Sequence, residues 1–76
     1  MKFPFEFKKV LVLGLGESAR GALKLLLRMG LEVRVSSLSF PGEQDFPLLE
    51  KVCDTQFGIH TPEFAQGQDL IVTSPG

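Results

Sequence analysis

The 76-residue chain has one cysteine, no tryptophan and no tyrosine, and it lacks a marked excess of charge of either sign. The single cysteine excludes an internal disulfide and a cysteine-based zinc cluster, and it favours a reducing, cytoplasmic compartment. Eight Lys and Arg against nine Asp and Glu argue against broad electrostatic binding of nucleic acid or of an anionic membrane. No apolar run approaches the roughly 20 residues of a membrane-spanning helix. We therefore expect one small cytoplasmic domain, with neither nucleic acid nor membrane as a partner.

Strand-like and helix-like patterns alternate in the first half of the chain. Residues 10–13 form a continuous apolar run that stops at a glycine, as expected for a strand buried on both faces. From Ser18 to Met29 apolar residues recur every three or four positions, which predicts an amphipathic helix with Ser18 as its N-cap and Gly30 just past its end. Residues 32–36 alternate and predict a second strand.

The second half continues with shorter predicted elements. These are a helix at 46–52 with Phe46, Leu49 and Val52 facing inward, a brief strand at 55–58, a helix that begins near Thr61 with Pro62 in its first position, and a buried strand at 69–73. The order predicts an α/β fold in which helices flank an open parallel β-sheet in a single small domain.

The two ends of the chain give separate expectations. Residues 1–8 are an N-terminal flank in which Phe3, Phe5 and Phe7 alternate, a pattern typical of an edge strand or a hydrophobic clamp. Residues 9–76 form the predicted domain. The sequence stops directly after the last predicted strand, where parallel α/β proteins carry functional loops. We therefore expect the chain to be a fragment of a larger protein.

The strongest chemical signal is the pattern Gly-x-Gly-x-x-Ala over residues 14–19, between a predicted strand and a predicted helix. Gly14 permits the tight turn, Gly16 lets a ligand approach the backbone, and Ala19 lets the helix lie close to the strand. The helix N-terminus then favours an anion, most often a phosphate or diphosphate. Glu17 adds a carboxylate beside this site unless its side chain points to solvent. The alternative is a glycine turn that serves packing alone.

The end of the second predicted strand lacks the acidic residue that binds the ribose of NAD, which is expected about 20 positions after the glycines. Residues 36–39 read Ser-Ser-Leu-Ser, and they offer no arginine for a 2′-phosphate either. A nicotinamide cofactor is thereby disfavoured, whereas a phosphorylated ligand is not. The alternatives that stay open are an NAD(P)-binding domain of an oxidoreductase and a stand-alone nucleotide-sensing module.

Several segments together resemble the N-terminal domain of the Mur ligase family. They are the glycine segment at 10–19, the second strand with its preceding residues at 30–35, and the Asp-Leu-Ile-Val-Thr-Ser-Pro-Gly ending at 69–76. Residues 57–63 are similar to the Gly-x-His-x-x-Glu stretch that is common before this last strand in the family. The resemblance extends from about residue 9 to the end of the chain.

The resemblance implies a Rossmann-like domain that holds the UDP part of a nucleotide-sugar substrate. It implies that the diphosphate faces the glycine loop, that uracil and ribose contact the loop after the second strand, and that the Ser-Pro-Gly turn closes the site. The residues implied are Gly14, Gly16, Glu17, Ser18, Ser37, Leu38, Ser39, Ser74, Pro75 and Gly76. Family members commonly have Asp-Thr-Arg or Asp-x-x where this chain has Ser-Leu-Ser.

Within the family, the likeness is to the ligase that joins D-glutamate to UDP-N-acetylmuramoyl-L-alanine in peptidoglycan synthesis, which implies this substrate. In that reaction ATP phosphorylates the muramoyl-alanine carboxylate, the amine of D-glutamate attacks the acyl phosphate, and phosphate leaves. The family's central domain holds ATP and magnesium, and its C-terminal domain binds the amino acid. This chain has no Gly-x-x-x-x-Gly-Lys-Ser/Thr motif, so we expect no catalytic residue or bound cofactor here. The other two domains are its expected partners.

The remaining polar residues receive structural interpretations. His60 is the only histidine, and we interpret it as a polar loop residue because a zinc site needs more ligands. Cys53 has no activating neighbour in the sequence and is interpreted as a half-buried structural thiol. Arg20, Lys24 and Arg28 form a basic stripe, which we interpret as a solvated helix face, with phosphate contact as the alternative.

Overall fold

The computed structural model describes residues 8–73, which fold into a four-stranded sheet with helices packed on it. The strands are β1 (Lys9–Leu13), β2 (Glu32–Ser37), β3 (Asp54–Phe57) and β4 (Leu70–Thr73), and the helices are α1 (Glu17–Arg28), α2 (Phe46–Leu49) and α3 (Pro62–Ala65). A 3₁₀ turn at Glu43–Asp45 leads directly into α2. Every strand pairing is parallel, so the predicted open parallel α/β sheet is confirmed.

The strand order is β3-β2-β1-β4, which matches the first four strands of a Rossmann-like sheet. The chain moves outward from β1 to β3 and then returns past both inner strands to add β4 on the other side of β1. Because such crossovers are right-handed, the return connection places α3 on the opposite face from α1 and α2. The carboxyl ends of β1 and β4 therefore flank the point where the strand order reverses.

The core lies between one face of the sheet and α1. Val12, Val33 and Val35 come from the two central strands and pack with Ala19 and Leu23 of the helix, each of them at most 3% exposed. The apolar side of α1 that the sequence predicts therefore faces the sheet. The small side chain of Ala19 allows α1 to lie close to the sheet, as the Gly-x-Gly-x-x-Ala pattern predicts.

Helix α1 has its N-cap two residues earlier than the sequence predicts. Its N-cap is Gly16, in extended conformation at φ −67° and ψ 177°, so the prediction that Ser18 is the N-cap is wrong. The reason is that the extended glycine already ends the turn from β1, and Ser18 falls inside the first helical turn. At the other end, Gly30 has φ +78° and follows the C-cap, as predicted.

In the short helix α2, one residue that the sequence predicts to face inward is exposed. Leu49 and Val52 pack against the core as expected, but Phe46 is 50% exposed. Leu48 also packs inward, so Leu48 and Leu49 together define the inward face of this one-turn helix. Phe46 lies roughly 110° around the helix from the middle of that face, which leaves it at the edge of the core.

Strand β4 is less buried than the sequence predicts. Leu70 is 36% exposed and Ile71 is 47% exposed, while Val72 packs against the core. The cause is position: β4 pairs with β1 alone and forms one edge of the described sheet. An apolar run identifies a strand, but burial on both faces depends on neighbours that an edge strand does not have.

Candidate nucleotide-binding cleft

A cleft of about 680 Å³ opens at the carboxyl end of the sheet. The last residues of three strands, Leu13, Ser37 and Thr73, contribute to its walls, together with the glycine loop, the loop after β2 and the 3₁₀ turn. The cleft therefore lies where the strand order reverses, which is the place where open α/β sheets bind ligands. Its volume falls within the range of small-molecule sites.

The two glycines of the loop after β1 have different structural roles. Gly14 has φ +103°, a conformation that side chains rarely adopt, and its N–H donates to the Ser36 carbonyl oxygen at 2.7 Å. Gly16 has an ordinary extended conformation, and no atom lies within 4 Å of the place where its Cβ would stand. The backbone geometry thus requires glycine at position 14 but not at position 16. Both residues line the cleft.

The N-terminus of α1 faces this cleft without a side-chain cap. Arg20 donates its backbone N–H to the Gly16 carbonyl oxygen at 2.9 Å, so the N–H groups before it precede the first helical hydrogen bond. Such groups favour an anion. Glu17 and Ser18 are exposed and are not part of the cleft wall, and Glu17 lies instead along a neighbouring groove beside α1. The carboxylate of Glu17 therefore faces solvent rather than the cleft.

The loop after β2 supplies the opposite wall. Ser37 is 3% exposed, its Oγ accepts the Ser39 N–H at 3.2 Å, and its carbonyl oxygen accepts the Gly58 N–H at 2.8 Å. These bonds fix the base of the loop, while Leu38 and Ser39 stay exposed above it. The structure thus brings residues 37–39 to the same opening as the two glycines, although their role in binding uracil stays a prediction.

Arg20 provides a positive charge in the cleft, and the sequence interpretation of this residue is wrong. Its Nη1 donates to Oδ1 of Asp45 at 3.3 Å, and the two side chains are 29% and 6% exposed. Arg20 is only partly solvated because the 3₁₀ turn packs against the first turn of α1. Lys24 and Arg28 are exposed, as interpreted. Asp45 lies 25 residues further along the chain, so no local pattern indicated the pair.

A buried hydroxyl lies below the cleft floor. Ser36 is 1% exposed, and its Oγ lies 2.6 Å from Nδ1 of His60 and 3.3 Å from Oε1 of Gln56. Gln56 in turn accepts the Thr61 N–H at 3.2 Å, which ties the loop after β3 to the sheet. His60 is exposed and lines the cleft, in agreement with its interpretation as a polar loop residue. Since Ser36 is inaccessible to a substrate, the contact orients the histidine.

Other predicted features lie away from the cleft. Cys53 is exposed, so its interpretation as half-buried is wrong: its backbone N–H donates to the Val33 carbonyl oxygen at 2.9 Å, but the thiol lies at the surface. Residues 74–76, predicted to close the site, and the flank at 1–7 lie outside the described residues. Between residues 8 and 73 there is no cluster of three metal-ligating side chains. Within the same range no helix has the length and apolarity needed to span a bilayer.

Comparisons with known proteins give a consistent result. No family model matches the chain. The chain is 42% identical over 72 residues to a curated protein of Exiguobacterium sibiricum, and 41% identical over 71 residues to one of Ligilactobacillus salivarius; both are named UDP-N-acetylmuramoylalanine--D-glutamate ligase. A third protein of this name, from Acidobacterium capsulatum, is 42% identical over 72 residues. These matches cover 91–93% of the chain but 16% of each relative, in the relative's N-terminal region.

Proposed function

We propose, from the premise that the chain is a domain like the N-terminal domain of the Mur ligases, that its cleft binds the UDP part of UDP-N-acetylmuramoyl-L-alanine. One observation carries the proposal: the fold brings Gly14, Gly16 and residues 37–39 to a single cleft at the carboxyl end of the sheet. These residues are far apart in the chain, and they are the ones that the family resemblance assigns to the nucleotide.

The two walls of the cleft suit the two parts of UDP. On one wall, the first-turn N–H groups of α1 and the open backbone at Gly16 suit the diphosphate, because uncapped N–H groups and the helix dipole favour negative charge. On the other wall, Leu38 is 64% exposed and offers an apolar surface to the uracil, and Ser39 offers a hydroxyl to the ribose. Ser18 contributes its backbone N–H to the diphosphate. The family resemblance also assigns Ser74, Pro75 and Gly76 to the nucleotide, and these three lie outside the described residues.

The chemical step belongs to other parts of such a ligase. The chain spans 16% of the length of the curated relatives that it matches. We propose that the complete protein joins D-glutamate to the bound substrate with ATP and magnesium held by a central domain, in the cytoplasm, for peptidoglycan synthesis. The domain described here contributes binding and orientation of the UDP end. It supplies no residue to the reaction itself.

A titration of the isotope-labelled chain tests the binding proposal. UDP and NADH are added in separate experiments, and the backbone amide signals are followed by NMR. We expect UDP to shift the amides of Gly16, Ser18, Ser37 and Ser39, while the amide of Gly30, at the far end of α1, serves as an internal control. Shifts with NADH alone would favour the oxidoreductase alternative. An unchanged spectrum with UDP up to millimolar concentration would contradict the proposal.

A further inference from the structure

We infer that Arg20 senses the phosphate charge of the nucleotide, and this inference rests on the function proposed above. Among the described residues that line the cleft, Arg20 is the one with a permanent positive charge and Asp45 is the one carboxylate. The cleft therefore presents a single cation to an anionic ligand, at the wall where the helix N-terminus also favours negative charge.

The geometry of the ion pair leaves Arg20 able to bind a second anion. Its contact with Asp45 uses one nitrogen and one oxygen, Nη1 and Oδ1, at 3.3 Å. A guanidinium group carries five N–H donors in a planar fork, and paired donors suit phosphate oxygens well. The Arg20 side chain is 29% exposed and is part of the cleft wall, so a ligand in the cleft can reach it.

Asp45 holds the guanidinium at the cleft wall and is itself held by its own turn. Its Oδ2 accepts the Gly42 N–H at 2.9 Å, and its backbone N–H donates to the Gly42 carbonyl oxygen at 3.0 Å. The side chain is 6% exposed, so its charge depends on Arg20 for compensation. Arg20 therefore keeps its contact with Asp45 while its remaining donors bind the phosphate. Asp45 is a positioning residue, and Arg20 makes the ligand contact.

This arrangement predicts discrimination between ligands that differ only in phosphate. The substitution Arg20→Gln should weaken UDP binding about tenfold or more and leave uridine binding unchanged, because the lost donor was paired with a charged group. Arg20→Lys keeps the charge but lacks the fork, and we expect an intermediate loss for UDP. Lys24→Gln is the matched control: it removes a cation one turn further along α1 from an exposed side chain outside the cleft. It should change UDP affinity by less than about twofold.

The experiment measures dissociation constants of UDP and uridine for the parent chain and the three variants, and follows the Arg20 side-chain Nε–H signal in the parent by NMR. The expected result is a shift of that signal with UDP but not with uridine, together with a UDP-specific loss in Arg20→Gln. If Arg20→Gln does not fold, the side-chain signal and Arg20→Lys decide the outcome. Equal UDP binding by parent and variant would overturn the inference and leave the proposed function standing. Absence of UDP binding by the parent would overturn both.

Discussion

The two ends of the sheet differ in how their polar groups are used. At the amino end, the chain bonds to itself. The Asp69 carboxylate accepts the N–H groups of Lys8 and Lys9 at 2.9 and 3.0 Å, and the carbonyl oxygens of Lys8 and Lys9 accept the N–H groups of Glu32 and Asp69. At the carboxyl end, the N-cap Gly16 of α1 lines a cleft, and the first-turn N–H groups that follow it have no side-chain cap. One end of the sheet is therefore closed by the protein's own acceptors, whereas the other keeps N–H donors available for a ligand.

The largest loss of stability should come from substitution of Gly14, because the turn at the carboxyl end of β1 needs its positive φ. Gly14→Ala places a side chain at φ +103°, and strain at such positions costs about 2 kcal/mol of unfolding free energy. Gly16→Ala is the control, since its backbone is extended and its Cβ site is open. Urea denaturation of both variants measures the difference. Equal losses would show that the two glycines do not have distinct roles.

The second-largest loss of stability should come from breaking the contact between Asp45 and Arg20. Asp45→Ala removes the acceptor of the Gly42 N–H and the partner of Arg20, and we expect a loss of about 1.5 kcal/mol. The loss stays moderate because the Arg20 side chain, 29% exposed, can turn towards water. Chemical denaturation gives the value, with Glu43→Ala as an exposed control in the same turn. A loss no greater than that of the control would mean that the pair does not stabilise the cleft wall.

A substitution at Gly16 should change ligand affinity but not the stability of the fold. Gly16→Val fills the open space in front of the α1 N-terminus, and we expect UDP binding to weaken about tenfold while the unfolding free energy changes little. The measurement pairs a UDP titration with thermal denaturation of the same sample. If the variant bound UDP as tightly as the parent, the diphosphate would not approach the backbone at this position.

The smallest effect should come from the amino end, at Asp69. Hydrogen bonds from the Lys8 and Lys9 N–H groups, and the charges of both lysines, hold the pKa of the Asp69 carboxyl below its ordinary value. Because the pKa is lower in the folded state, this carboxylate stabilises the fold above the unfolded-state pKa of about 4 and loses that contribution as the pH falls. The parent should therefore be more stable than Asp69→Asn at neutral pH, and the difference should shrink in acid.

Binding measurements on the same variant complete this comparison. UDP affinity should be unchanged by Asp69→Asn, because the carboxylate lies at the opposite end of β4 from the cleft. A pH-independent difference in stability, or a change in UDP affinity, would contradict the division between the two ends.

Local patterns made much of the fold predictable. The apolar run of β1, the period of α1 and the glycine spacing each involve neighbouring residues, and the structure has these elements within one or two residues of the predicted positions. The errors concern contacts between distant parts of the chain. The exposure of Phe46 depends on which face of a one-turn helix meets the core, and that of Ile71 depends on the edge position of β4.

The candidate site divides in the same way. Gly14 and Gly16 could be identified because their spacing is typical of a single turn between a strand and a helix. Residues 37–39 could be identified because they come at the end of a predicted strand. The pairing of Arg20 with Asp45 could not, because it joins two segments that only the finished fold brings together. A cation at the fourth position of α1 was visible in the sequence, but its partner and its partial burial were not.

The position of β4 has a consequence for the order of folding. Strands β1 and β2 are joined by the single helix α1. Lys9 and Asp69, by contrast, connect β1 to the start of β4 and are 60 residues apart. Closing the longer loop costs more chain entropy, and contacts between distant residues form slowly. We expect β1, α1 and β2 to assemble first and β4 to dock last. The cleft beside β4 is then complete only when folding is complete, so a half-assembled chain offers its ligand no finished site.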